Sequence, residues 1–113
     1  MQGLGLSSNE ILTVGKCLKA AAEGPFFPEW EFQTLIGWSR AEVHQVANAW
    51  PSPAIAPREL AELVVAVLNN LVGYPHGQDS CWSAFIDVPP AEVTRLLEAL
   101  VVRLRTDSPR ADG

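Results

Sequence analysis

PRELAELVVAVLNNLVG, residues Pro57 to Gly73, decides how this chain folds. Leu60, Leu63, Val64, Val67, Leu68 and Leu71 recur at the three- and four-residue spacing that lines one face of an α-helix. Val65, Ala66 and Val72 make the opposite side partly apolar too, which does not suit a helix wet along one face. Pro57 fits the first helical position, where its missing N–H would be unpaired anyway. The segment is therefore predicted to be a central helix, touched by neighbours on most sides. The expected fold class is all-α, a compact orthogonal bundle of about five helices around it.

Upstream, Ser7 and Glu10 form a capping box and Leu6 can staple onto Ile11, so a first helix starts there with Ile11, Val14, Leu18 and Ala21 facing inward. Gly24 and Pro25 end it. Pro28 suits the first turn of a short second helix, with Glu29 and Glu31 at the positive end of its dipole, running to about Ile36. Gly37 permits a tight turn. Ser39 and Glu42 repeat the capping box and Trp38 staples Val43, giving a third helix from Arg40 to Trp50 with Val43, Val46, Ala47 and Trp50 as its stripe.

"PSPAIAP" (51–57) reads as a stiff connector, and "YPHGQDS" (74–80) as a loop. "CWSAFIDV" (81–88) is short enough for a strand, but no partner strand is in sight, so a helical turn is expected. Pro90 opens a last helix with Val93, Leu96, Leu97, Leu100, Val101 and Leu104 on one face, and residues 106–113 are expected to fray. No internal repeat is evident, and residues 1–105 are read as one helical domain.

Composition agrees. The 113 residues are 48% apolar and 19% charged, a globular balance. The formal charge of −5 favours basic partners over nucleic acid or anionic membrane surfaces. Cys17 and Cys81 are too few for a disulfide framework, and the N-terminus lacks a secretory pattern, so a reducing, cytoplasmic setting is expected. The apolar run at 63–68 is far too short to span a bilayer.

Four groups of residues are candidates for function. The first is the aromatic and acidic cluster around "FFPEWEF", where Phe26, Phe27, Glu29, Trp30 and Glu31, with Tyr74 and His76, would form a protein-binding surface. Trp and Phe bury large area at low entropy cost, and acids select a basic partner. The competing reading makes the same aromatics a core with solvated acids. The second group is the helix-turn-helix layout of residues 30–50, which would present Arg40, His44, Gln45 and Asn48 to nucleic acid; a single cation opposed by Glu42 makes that interface weak. Third, Asn69 and Asn70 lie inside a helix, where asparagine is a poor residue. Asn69 falls on the wet side, and Asn70 is expected to bond the backbone of the "GYPH" or "GPFFP" loop. Fourth, His76, Asp79 and Cys81 lie close together, but their spacing matches no common zinc or nucleophile pattern. No phosphate loop, GxSxG elbow or HExxH is present, so neither metal, cofactor nor enzymatic activity is expected.

"FFPEWEF" and "NNLVGYPH" (69–76) together resemble a family of small uncharacterised bacterial proteins in which an F-P-x-W-E-F stretch precedes N-N-L-x-G-Y-P-H. The resemblance covers roughly the middle two-thirds of the chain. It implies a common helical fold and brings with it no activity, cofactor or partner. The functional expectation is a small protein-binding module such as an immunity-like inhibitor or adaptor. The alternatives are a helix-turn-helix regulator, or a homodimer built on Val65, Ala66 and Val102.

Overall fold

Several helix boundaries in the computed structural model, which describes residues 6–51, 55–74 and 77–107, have a local cause. Helix α1 (Ser8–Glu23) opens at the predicted capping box: Ser7 Oγ accepts the Glu10 amide at 3.2 Å and the Glu10 carboxylate accepts the Ser7 amide at 2.9 Å. The Ser39 and Glu42 box starts α3 (Arg40–Ala49) in the same way. Helix α2 (Glu29–Ile36) takes Pro28 as its N-cap rather than as its first residue, and ends at Gly37. Gly37 has φ 86°, a left-handed conformation that only glycine adopts without strain. Helix α4 (Pro57–Gly73) has the predicted bounds. A 3-10 turn (Asp79–Cys81) leads into the short α5 (Trp82–Phe85), so "CWSAFIDV" is helical, and α6 (Pro90–Asp107) closes the chain. The helix takes in Thr106 and Asp107, placed in the tail on sequence grounds; 108–113 lie outside the described residues. The fold is all-α, with no strand among the described residues.

The stripe of α4 is buried as expected, from Leu60 through Leu71. Of the three residues of the homodimer reading, Val65 and Ala66 are half-buried and Val102 is exposed. Helix α4 is not the lone centre, however. It packs against α6, α1 and α2, whereas α3 packs on α1. Gly15 lets that crossing close: a Cβ there would stand 2.8 Å from Cδ1 of Trp50. The Trp50 indole is half-buried, caps α3 instead of extending it, and donates Nε1–H to the Ile11 carbonyl at 2.8 Å.

Two hub helices follow from a regularity that the sequence alone conceals. Shifting the chain by fifty positions lays α1 on α4, α2 on the turn and helix of α5, and α3 on α6. Buried residues coincide: Val14 with Val64, Cys17 with Val67, Leu18 with Leu68, Phe32 with Trp82, Ile36 with Ile86, Val43 with Val93, Val46 with Leu96. Ala41-Glu42-Val43 recurs as Ala91-Glu92-Val93. The packing repeats as well. Helix α3 lies on α1 as α6 lies on α4, α2 rests on α4 as α5 rests on α1, and the hubs pack on each other. That is the pattern an approximate two-fold axis through the α1–α4 contact produces. The expectation of no internal repeat is therefore corrected: the domain is two three-helix units sharing one core.

Candidate functional site

The loop between α1 and α2 sorts the aromatic cluster by depth. Phe26 and Phe27 are buried, which removes them from any contact surface. Phe26 meets Trp82 and Phe85 edge-on, with centroids 6.1 and 5.8 Å away, and so joins the first unit to the second. Phe27 stands edge-on to Phe32 and tilted against Tyr74, at 6.1 and 5.8 Å. The chain bends through 24–27, between Pro25 and Pro28, and both rings turn inward there.

Trp30, by contrast, is 79% exposed in the first turn of α2. Its neighbours are held in place. The Glu29 side chain is 81% exposed and accepts Nε–H of Arg40 at 2.8 Å. Glu31, one position beyond the indole, accepts the hydroxyl of Tyr74 at 2.5 Å. The carboxylate acceptor, with desolvation adding to it, pushes the Tyr74 phenol above its ordinary range. The outcome is an exposed indole between two oriented carboxylates. His76 lies outside the described residues.

Arg40 turns inward from the start of α3. Its guanidinium donates to the carbonyls of Ala21 and Ala22 at 3.2 and 3.1 Å, to that of Phe27 at 2.8 Å, and to Glu29, and it lies 4.4 Å from the Phe32 ring centroid. The Ala21 and Ala22 carbonyls belong to the last turn of α1, which has no intrahelical partners to offer them. Arg40 is thus the clasp that closes α1, the loop and α2 onto α3. His44 faces Glu23 through Nε2 at 3.1 Å, while the Asn48 amide sits 3.1 Å from Nδ1. The nucleic-acid reading loses its one cation on α3, and of its four candidates only Gln45 has a side chain left to solvent alone.

Asn70 bonds backbone as expected, but not in either loop. Its Nδ2 donates to the Leu35 carbonyl at 3.0 Å and to that of Ala66 at 2.8 Å, so it pins the last turn of α2 to α4. Asn69 is exposed. Cys81 is half-buried, with Sγ 3.8 Å from Gln78 Oε1, and no group of three or more metal-ligating side chains occurs among the described residues. Cys17 is fully buried and burial pushes its thiol up to about 12.

Sequence reasoning missed a groove of about 560 Å³ between α1 and α6. Asn9, Leu12 and Lys16 form one wall, Arg95 and Ala99 the other, and Val88 lies at its foot. Leu12 was the available signal, since it falls off the inward stripe of α1 and is 63% exposed. No helix among the described residues is long and apolar enough to cross a membrane. No family model matches the sequence, and neither the curated proteins nor the solved structures give a match.

Proposed function

We propose that this chain is a protein-binding module whose contact surface centres on Trp30, with Glu29 and Glu31 at its rim and a basic protein as the partner. The observation that carries the reading is the exposure of the indole set beside its counterpart fifty positions on. That counterpart is Ser80, which is also exposed. The fold needs nothing large at this position, yet one unit has a tryptophan there. An exposed indole that packing does not require is free to act as a contact anchor, the role in which tryptophan is enriched at interfaces.

The rim supports the choice of partner. Glu29, 81% exposed, is open to an incoming cation, Glu31 is hydrogen-bonded by Tyr74, and a lysine or arginine side chain can also lie on the indole face. The net charge of −5 acts in the same direction at long range. Phe26 and Phe27 serve from beneath, as the packed floor that keeps the first turn of α2 in place. A small inhibitor or adaptor that covers a basic site on another protein is the role that fits.

The test is to replace Trp30 with Ser, the residue the second unit uses. Proteins retained by the immobilised wild-type chain are identified, and the purified partner is titrated against both forms. The variant should melt as the wild type does and bind a basic partner at least about thirty-fold more weakly, as expected of a tryptophan hot spot. Equal binding by the variant, or retention of no basic protein, overturns the proposal.

A further inference from the structure

We propose that the groove between α1 and α6 is covered by a second copy of this chain, the two copies meeting groove to groove about a two-fold axis. The internal two-fold relation shows why there is a groove at all. Its foot is Val88, where the other unit has Trp38, and its α1 wall has Thr13 where the other unit has the fully buried Leu63. Smaller residues at both places leave the space open. Two of the three large apolar side chains exposed among the described residues belong to the helices that wall it: Leu12 at 63% and Val102 at 59%, the latter one turn beyond Ala99.

Charge selects the occupant. Lys16 pairs with Asp87 at 2.5 Å and Arg95 pairs with Glu92, so charges of both signs, with Glu10 a further acid, line the groove. The face related to it by the internal repeat, between α3 and α4, has Glu42, Glu59 and Glu62 against the one cation Arg58, which pairs with Glu62, and has Ala66 and Gln45 where the groove has Lys16 and Arg95. A chain of net charge −5 repels its own copy almost everywhere, and most strongly at such an acidic face. The groove carries both signs, so an isologous contact that sets the Lys16 and Arg95 of one copy against the acids of the other avoids that repulsion. All of these ion pairs are well exposed and hold their present geometry only weakly, so exchanging partners across the axis costs little. Leu12 of each copy then enters the open space of its partner, which is the apolar centre such an interface requires.

The contact lies on different elements from Trp30 and stands independently of the proposed partner site. Sedimentation equilibrium from micromolar to submillimolar concentration should show wild-type mass rising from one chain to two. Leu12→Glu should weaken the dimer at least about tenfold with the helical circular dichroism spectrum unchanged, since the position is solvent-facing. Arg95→Glu should weaken it too, and Arg95→Glu combined with Glu92→Arg should restore it, whereas Trp30→Ser should leave it unaltered. A wild-type chain that stays monomeric throughout, a dimer indifferent to Leu12→Glu, or one lost with Trp30→Ser would each overturn the inference.

Discussion

The guanidinium of Arg40 lies over the ring of Phe32, 4.4 Å from its centroid, and from there reaches carbonyls on α1 and on the loop that follows it. Only a quarter of the side chain is exposed, so these bonds are made where water competes poorly. Arg40→Ala should therefore destabilise the domain by ~2–4 kcal/mol, as the loss of charge-assisted bonds and a buried packing surface implies. Arg40→Lys should recover little, because an ammonium cannot span acceptors on three sides at once. Urea denaturation measures both; a loss under ~0.5 kcal/mol in either variant would show that the clasp is ornamental to stability.

Gly15 and Trp50 make a paired prediction. Alanine at 15 should cost ~1–3 kcal/mol despite its better helix propensity, because its Cβ would drive the indole away and break the bond to the Ile11 carbonyl. In a Trp50→Ala background the obstacle is gone, and the same Gly15→Ala change should be neutral or stabilising. A double-mutant cycle by thermal melting reads the coupling, and additive costs would refute the contact.

Helix existence, caps and inward stripes were legible because each rests on a few neighbouring residues: Ser7 with Glu10, Ser39 with Glu42, Gly37 at its turn. What hid was long-range. Val46 and Leu96, or Phe32 and Trp82, do the same work with different volumes, so the two units share burial without sharing much identity. Arg40 reads as an exposed cation on a helix wheel, and nothing local reveals that the last carbonyls of α1 sit beside it. Phe26 and Phe27 likewise needed Trp82, Phe85 and Tyr74 brought near them before their burial could be known. Trp30 was recognisable as the exception only once Ser80 could be set against it.

The two thiols should differ sharply in reactivity. Cys17 is buried in the core and burial pushes its thiol up to about 12, so it stays protonated and shielded at neutral pH, whereas Cys81 is half-exposed on the turn before α5. An aromatic disulfide reagent at pH 8 should modify one thiol per native chain and two in denaturant. A Cys81→Ser variant should show no rapid phase. Rapid native modification of that variant would place Cys17 outside the core.

Tyr74 is the only tyrosine of the chain, so its ionisation can be followed directly by phenolate absorbance. Accepting the phenol proton, the Glu31 carboxylate holds it on the hydroxyl and raises the titration above the ordinary value of about 10. A group whose folded value is raised binds its proton more tightly when folded. Its contribution to stability is therefore complete below the unfolded value and fades as pH rises through the folded one. Wild-type stability should thus decline on the alkaline side of pH ~10, where Tyr74→Phe, which has no phenol to ionise, should lose less. Glu31→Gln should bring the phenolate titration back toward the ordinary value while leaving α2 folded, since the carboxylate is the first cause of the shift and Phe27 still packs on the ring. A titration curve unchanged by Glu31→Gln would mean that burial alone raises the phenol, and that Glu31 is not fixed beside Trp30 by this bond.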